Sequence, residues 1–341
     1  MTLIDKIAQE ANASKRTVYR ALKGDGKENW TSTKSRADKI RKIALELGYR
    51  PNAAARSVRE GSFKQVACIS TRMKGYHSSS LVGYLDATAD ALLEKDYLMV
   101  FESFLLKQGT GELNSQQQLF SQNSVDGVLV LISSGYCPDS IISGVDALNI
   151  PSVWINYAPS IESCCVLIDE SDGIDDMMKH FKNLDHKKVA YLAPEYSHYS
   201  VTSRLSNIEK SGRAYGLDIT VLKSAERPYI YGLVNELLDN HSDVTSVICY
   251  NKEFLDILMF ETSKRGISIP NDLSVTFFMD PVDRSTIKEI QVSAIELPHY
   301  EMVQLGTELL FDMIENKTKH KEVRCIPAKF VVGNTTNICK K

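Results

Sequence analysis

The chain has 341 residues, of which 43% are hydrophobic and 24% charged, as is typical of a soluble globular protein of two or three domains. No run approaches the roughly 20 apolar residues of a membrane span, and the N-terminus lacks the basic and apolar regions of a signal peptide. These features favour a cytoplasmic protein over a secreted or membrane protein.

The net charge of −3 hides an uneven distribution along the chain. Residues 1–64 contain 15 Lys and Arg against 7 Asp and Glu, a net charge of +8, whereas the remainder contains 25 against 36, a net charge of −11. A small basic segment on a large acidic one indicates a polyanionic partner for the first and a separate role for the second. On charge alone, chance clustering is the alternative.

The seven cysteines indicate reduced thiols. Their number is odd, and they show neither C-x-x-C spacing nor paired histidines, so the sequence predicts no disulfide framework, no metal site and no cofactor.

Two short helices are predicted at the N-terminus. Apolar residues recur with helical spacing from Ile4 to Ala11, and Ser14 is a suitable N-cap for a second helix with an apolar face from Val18 to Leu22. Two such helices joined by a three-residue turn form a helix-turn-helix, whose second helix presents its first side chains to the DNA major groove.

The exposed side of the second helix has side chains suited to DNA. Lys15 and Tyr19, and likewise Arg16 and Arg20, are spaced four residues apart on one face. Arg16 matches guanine O6 and N7, Lys15 matches a base acceptor or a phosphate, and Thr17 can donate to a phosphate. The alternative is a solvated basic helix in a small bundle.

A third helix is predicted after the polar loop at residues 23–33. Small and apolar residues form one stripe from Ala37 to Leu47, and Gly48 stands where a helix stop belongs.

The segments "IAQEANASKRTVYRALKG" and "IALELGYRPNAAARSVREG" resemble the N-terminal region of the lactose-repressor/galactose-repressor (LacI/GalR) family of bacterial transcription regulators, and the similarity continues along essentially the whole chain. The resemblance implies that Lys15 and Arg16 read bases and that Arg20 makes a further contact. Tyr19 replaces the family's usual serine, Asn12 its usual glycine, and the loop before the third helix is longer. These departures concern the operator sequence rather than the fold.

The stretch "YRPNAAARSVREG" predicts a short helix between the basic segment and the remainder. Asn52 is a good N-cap and three alanines follow, but the segment ends near Gly61, so it is too short to be stable alone. We expect it to fold with a second copy in the DNA minor groove. The resemblance implies a hinge helix in which Asn52, Ala55 and Val58 contact DNA. Val58 replaces a wedging leucine and predicts a shallower kink. A plain linker is the alternative.

The remainder alternates strand and helix patterns, which predicts parallel α/β sheets with helices on both faces. The predicted strands are "QVACIS", "YLMVFES", "GVLVLIS", "SVWINY", "KVAYLAP", "SVICYN", "LSVTFFMD" and a final "KFVVGNTT", and the predicted helices include residues 81–95, 171–183 and 252–265. The length indicates two lobes, and the resemblance implies a periplasmic-binding-protein-like body whose lobes are linked by three chain crossings.

The predicted domains are a helix-turn-helix at 1–48, a hinge at 49–63 and an effector-binding and dimerisation domain at 64–341. Its lobes are predicted at about 64–158 plus 293–325 and 159–292 plus 326–341. No C-terminal heptad run is visible, which favours a homodimer over a tetramer.

Ligands of such sheets bind at the carboxyl ends of strands, between lobes. This rule nominates residues that mostly follow the predicted strands: Tyr76, His77, Ser78, Trp154, Asn156, Arg204, Tyr250, Asn251 and Asp280. The alternatives are a surface histidine at His77, a core residue at Trp154 and a surface ion pair at Arg204, which we predict to begin a helix.

The family pattern refines two of these positions. Arg204 matches the arginine of the family's "R-x-x-G" run, with Asn207 in place of its glycine. The family's ligand-binding aspartate falls on Met279, so that Asp280 alone remains of the pair.

Asn251 matches the family's "N-D" pair, although Lys252 replaces the aspartate. A guanidinium and an amide are therefore kept, while a carboxylate that would accept sugar hydroxyl groups is lost. We expect a less hydroxylated or anionic effector, held through Arg204, Asn251 and Asn156.

Catalytic patterns are absent. "GDGK" lacks the strand and spacing of a phosphate loop, and the sequence contains no G-x-S-x-G and no H-E-x-x-H. The acidic run at 168–176 lacks calcium-loop spacing. We read it as Ser171 capping a helix that has Asp172, Asp175 and Asp176 near its positive end.

Two functions remain in view. The first is a repressor whose affinity for a pseudo-palindromic DNA operator is controlled by a small, carbohydrate-related effector. The second is a standalone binding protein or enzyme with an accessory basic segment. A gel shift and its salt dependence separate them.

Overall fold

The computed structural model describes residues 1–23, 31–50, 57, 61–73, 79–106, 118–122, 124–132, 137–159, 163–195, 198–224, 227–280, 291–318 and 321–340. The chain divides into two compact units, residues 1–63 and 64–341, called here the head and the body. Most of the predicted hinge, including Asn52, Ala55 and Val58, lies outside the described residues.

The described residues of the head form three helices around a small apolar core. They are α1 (Leu3–Glu10), α2 (Lys15–Lys23) and α3 (Thr31–Glu46). One residue from each helix is almost fully buried: Ile7 at 0%, Val18 at 0% and Ile40 at 1% exposure. The predicted helix-turn-helix and the third helix are confirmed, because the apolar stripes meet in this core.

The turn before α2 and the end of α3 use left-handed backbone. Asn12 has φ of +47°, a region that asparagine tolerates better than most residues other than glycine. This explains why asparagine serves where glycine was expected. Gly48, with φ of +74°, follows α3 as predicted.

In its described part, the body contains two six-stranded sheets. The strands are β1 (Gln65–Met73), β2 (Leu98–Leu106), β3 (Gly127–Leu131), β4 (Ser152–Ile155), β5 (Cys165–Asp169), β6 (Lys188–Pro194), β7 (Asp218–Ser224), β8 (Ser246–Cys249), β9 (Ser274–Met279), β10 (Ser293–Glu296), β11 (Val323–Pro327) and β12 (Lys329–Val331). The helices are α4 (Ser79–Glu94), α5 (Gln118–Ser121), α6 (Asp139–Leu148), α7 (Ser171–Asn183), α8 (Tyr199–Tyr215), α9 (Arg227–Asn240), α10 (Lys252–Lys264) and α11 (His299–Asn316).

The first sheet has the order β11-β5-β4-β3-β1-β2, and its strands are parallel. The second has the order β12-β10-β9-β8-β6-β7 and is parallel except that β12 runs antiparallel to β10. Every residue of β3, β8 and β9 is buried, as expected for central strands covered on both faces. The predicted α/β architecture is confirmed.

The sheets place the chain crossings later than predicted. The strand β5 pairs with β4 in the first sheet, so the first crossing follows residue 169 instead of residue 158. The strand β10 pairs with β9 in the second sheet, so the second crossing follows residue 296 instead of residue 292. The third crossing lies between β11 and β12, near residue 328.

Two helix starts also differ from prediction. Ser171 is the first residue of α7 and not its cap, because its N–H and hydroxyl both donate to Asp169 Oδ1, at 3.0 and 2.6 Å. Glu170 occupies the N-cap position without a side-chain capping bond. Arg204 does not begin a helix: α8 starts at Tyr199, five residues earlier.

The chain after β12 runs beside the second sheet instead of continuing the predicted strand to residue 336. Thr335 bonds Val275 twice: its carbonyl accepts from the Val275 N–H at 2.8 Å, and its hydroxyl donates to the Val275 carbonyl at 2.7 Å. The Asn337 N–H donates to Ser274 Oγ at 3.0 Å. These bonds therefore hold residues 335–337 against the start of β9.

Candidate functional site

The first half of α2 presents a basic surface. Lys15, Arg16, Tyr19 and Arg20 are exposed, as the helical spacing predicts. Ser14 caps the helix, because its hydroxyl oxygen accepts the Thr17 N–H at 3.2 Å.

Thr17 has a second bond to the cap residue. Its Oγ1 lies 2.9 Å from Ser14 Oγ, so the two hydroxyl groups hold each other at the start of the helix. A phosphate near this point would find two adjacent hydroxyl groups.

One basic residue of this surface is already paired. The Lys15 ammonium forms an ion pair with Asp5 Oδ1 of α1. Asp5 Oδ2 accepts the Thr2 N–H at 2.8 Å, and the Thr2 hydroxyl accepts the Asp5 N–H at 3.3 Å, so the carboxylate also closes the start of α1. The hydrogen bond from Lys15 is the main reason that the pKa of Asp5 lies well below its ordinary value.

In the body, polar side chains gather at the carboxyl ends of strands. The predicted residues Tyr76, His77 and Ser78 lie outside the described residues. Trp154 has only 1% exposure and packs against Tyr157 with ring centroids 5.8 Å apart, so it lies in the core of the first sheet.

Asn156 follows β4 and is half-buried, with φ of +56°. Its amide donates to the hydroxyl of Tyr84 at 3.4 Å. Tyr84 packs edge-to-face on His299 with centroids 5.0 Å apart, so the end of β4 is linked to the start of α11.

Arg204 of α8 is buried and engaged with Glu170. Its Nε donates to both carboxylate oxygens at 2.9 and 2.8 Å, and Nη2 donates to Oε1 at 2.7 Å. Nη1 donates to the carbonyl oxygen of Tyr250 at 3.0 Å. The guanidinium carbon lies 4.0 Å from the ring centroid of Phe278 and 4.6 Å from that of Tyr250. Burial alone would lower the pKa of Arg204, but the Glu170 carboxylate reverses this effect and raises it.

A chain of hydrogen bonds leads from Tyr250 to His198. The Tyr250 hydroxyl lies 2.9 Å from Ser200 Oγ, which lies 2.6 Å from His198 Nδ1. His198 Nδ1 also accepts the Ser200 N–H at 3.2 Å and so caps α8. Burial, together with the nearby charge of Arg204, lowers the pKa of His198 to about 4.

Two other predicted residues already have partners inside the chain. Asn251 Oδ1 accepts the N–H groups of Glu253 and Phe254 at 3.1 and 3.2 Å, which makes it the N-cap of α10. Asp280 Oδ2 lies 2.8 Å from Nδ1 of His299, and both side chains are buried. The Asn251 oxygen is therefore engaged by the backbone.

The family departures have local explanations. Lys252 donates to both oxygens of Asp256 one turn later in α10, at 2.8 and 2.6 Å. Asn207 donates to the hydroxyl of Ser203 one turn earlier in α8, at 3.4 Å. Met279 is buried at 6% exposure.

The sequence interpretation missed the partners of the predicted residues. These are Tyr84, Glu170, His198, Ser200 and His299. Glu170 could have been found from the sequence, since it directly follows the apolar run of β5.

Among the described residues, no group of three or more His, Cys, Asp or Glu is arranged to hold a metal ion. No described helix is long and apolar enough to cross a membrane.

Known proteins similar to this chain match both of its units. The periplasmic binding protein-like domain family matches residues 178–336. The HTH-type transcriptional repressor PurR of Haemophilus influenzae is 23% identical over 328 residues, covering 94% of this chain and 93% of that repressor. CytR of Escherichia coli K12 is 23% identical over 344 residues, covering 97% and 95%.

A solved structure gives the same fold. The lac repressor dimer bound to operator and the anti-inducer ONPF has a TM-score of 0.79 at 17% identity, with 99% of both chains covered. The chain is therefore similar to these repressors in sequence and shares the fold of the lac repressor. A LacI family regulator from Enterococcus faecium, solved with bound ribose, covers 81% of this chain at a TM-score of 0.68 and 20% identity. This likeness in fold accounts for a helical head and a two-sheet body in one chain.

Proposed function

We propose that the chain is a DNA-binding transcriptional repressor of the cytoplasm whose operator affinity changes when a small molecule binds between the two lobes. The observation that carries this proposal is the exposed basic surface of α2, positioned by the Ser14 cap in a separate helical unit. In this proposal Arg16 and Arg20 contact bases or phosphates, and Ser14 and Thr17 donate to phosphate.

We propose a homodimer that binds a pseudo-palindromic operator, as is expected when one helix-turn-helix of each subunit reads a half-site. A lac repressor dimer bound to operator is among the similar structures. In this arrangement Asn52, Ala55 and Val58 contact the minor groove between the half-sites, and Val58 produces the shallow kink.

For the effector, we propose an uncharged molecule. Arg204 of α8 and Lys252, the first residue of α10, are each paired with an acid of this chain, Glu170 and Asp256. Asn156 and the Tyr84 hydroxyl, which bond each other after β4, offer neutral hydrogen-bonding groups. This favours the less hydroxylated alternative over the anionic one. Similar proteins were solved with ribose, cellobiose and sucrose.

Selection of bound sequences from a random duplex pool, followed by gel shifts at several salt concentrations, tests DNA binding. We expect a palindromic consensus and a steep decrease in affinity with salt. Arg16→Ala should weaken binding and relax specificity at one position, at a cost of about 1–3 kcal/mol. The control is Lys182→Ala, which removes an exposed lysine from α7 of the body. If the protein selects no consensus and binds no duplex, the result would support the alternative of a standalone binding protein.

Thermal melting with matched compounds tests the effector class. We expect a neutral nucleoside to raise Tm, and its phosphorylated counterpart to have a smaller effect. Asn156→Ala should remove most of the increase. Stronger stabilisation by the phosphorylated member of a pair would contradict an uncharged effector.

A further inference from the structure

Arg204 lies where an anionic ligand would be bound. Its guanidinium rests on Phe278 of β9 and donates to the carbonyl of Tyr250, directly after β8. Both positions belong to the carboxyl edge of the second sheet, where ligands of parallel α/β sheets bind. A guanidinium at such an edge presents a planar fork that matches a carboxylate or phosphate.

The chain itself supplies that carboxylate. Glu170 stands just after β5 of the first sheet, and its two oxygens receive three hydrogen-bonding contacts of 2.7–2.9 Å from Arg204. The Glu170 side chain makes no capping bond to α7 although it occupies the N-cap position. Helix capping therefore does not explain a carboxylate at this position, whereas pairing with Arg204 does.

We propose that Glu170 is a tethered carboxylate ligand of Arg204, which fills the anion subsite of the cleft from within the chain. This inference rests on the proposed function, and it adds that Arg204 stays paired with Glu170 whether or not an effector is bound. The tether holds the carboxylate at a high effective concentration, so a free anion does not compete. The pair thus holds the second lobe to the chain segment that leaves β5, without an effector. Regulation then depends on a neutral molecule that binds beside the pair.

Chemical rescue of Glu170→Ala in the full-length chain tests this. Truncation leaves the buried Arg204 without its charge partner, and we expect Tm to decrease by on the order of 5–10 °C. Acetate at about 0.2 M should then occupy the vacated space and raise Tm by several degrees with saturation. Acetamide, which has the same shape without charge, and chloride at equal ionic strength should have much smaller effects.

Matched variants isolate the subsite. Asp172→Ala removes an exposed carboxylate from the first turn of the same helix, and acetate should not stabilise it specifically. Neither should acetate stabilise the wild type or the double variant Glu170→Ala/Arg204→Met. Equal stabilisation of all four proteins by acetate would overturn the proposal.

A second variant keeps the test decisive if Glu170→Ala does not fold. Glu170→Gln keeps the length of the side chain and removes its charge, and its Tm should also decrease by several degrees. A Glu170→Gln protein as stable as the wild type would refute the tethered ligand. None of these measurements uses DNA, so failure of the gel shifts would reject the repressor proposal and leave this one standing.

Discussion

The head and the body each contain an ion pair that bears on the proposed function, and the two pairs are physically opposite. In the head, Lys15 and Asp5 have side chains that are 63% and 22% exposed. In the body, the Arg204 and Glu170 side chains are 6% and 4% exposed.

This difference teaches what each pair can do. An exposed pair is screened by water and salt and is worth about 0–1 kcal/mol, so Lys15 can exchange Asp5 for a phosphate at little cost. A buried pair cannot exchange in this way, because separating its partners leaves a charge without solvent or counterion. The head pair is therefore suited to a reversible contact, and the body pair to a fixed one.

The largest expected effect is that of breaking the buried pair from its basic side. Arg204→Met should lower the free energy of unfolding by about 3–5 kcal/mol, because it strands the Glu170 carboxylate. Arg204→Met/Glu170→Leu should recover most of this loss, since an apolar pair of similar volume needs no partner. Urea unfolding of the full chain measures both. Equal losses in the single and double variants would show that packing, and not charge, holds the site.

The next largest effect should be the pH dependence of stability that comes from His198, which lies near the Arg204–Glu170 pair. His198 is 7% exposed, and its pKa falls from 6.5 to about 4 on folding. Because the folded chain binds the proton less readily, this contribution to stability is present above pH 6.5 and disappears as the pH falls towards 4. It is worth about 3 kcal/mol.

His198→Asn keeps a capping side chain and removes this titration. We expect the variant to lose less stability than the wild type between pH 7 and pH 4, as urea unfolding would show. His241→Asn controls for loss of an imidazole elsewhere in the body. Identical pH profiles for His198→Asn and the wild type would contradict the assignment.

A smaller effect is expected from the head's backbone. Asn12→Ala should cost about 1 kcal/mol, because alanine tolerates the left-handed turn less well. Asn12→Gly should be nearly neutral. Hydrogen exchange of the α1 and α2 amides in the full chain reports the loss. Faster exchange in the glycine variant than in the alanine variant would contradict the turn argument.

The smallest stability effect belongs to the exposed pair. Asp5→Asn keeps an oxygen that can accept the Thr2 N–H and should leave stability nearly unchanged, because the ion pair is exposed. It also frees Lys15, so the salt dependence of DNA binding should become steeper by about one unit of slope. Asp38→Asn, an equal charge change on α3, is the control. An unchanged slope in Asp5→Asn would mean that Asp5 does not restrain Lys15.

Much of the fold was predictable because its apolar patterns are continuous. The run at β3, Gly127–Leu131, is buried at every position, and such a run has few alternatives to a central parallel strand. The edge strand β7, Asp218–Ser224, was not predicted, because only two of its seven residues are buried and its composition is mixed. Edge strands lack the second covering layer that produces a clear apolar signal.

The sequence predicted single residues of the candidate site but not which residues contact each other. The positions of Asn156, Tyr250 and Asp280 follow from the rule that ligands bind at strand ends. Their partners do not, because Arg204 and Glu170 are 34 residues apart and Asp280 and His299 are 19 apart. The sequence carries the chemistry of each side chain, whereas the pairing depends on how the sheets bring the chain crossings together.

The crossing near residue 328 has a consequence for synthesis of the protein. The strand β11 completes the first sheet beside β5, and β12 completes the second beside β10. While the ribosome is still adding residues 323–331, the three-helix head has already emerged, but both sheets lack their last strand. The open backbone of β5 and β10 then offers pairing templates to other nascent chains. We therefore expect the nascent chain to need chaperones mainly late in translation, after the head has formed.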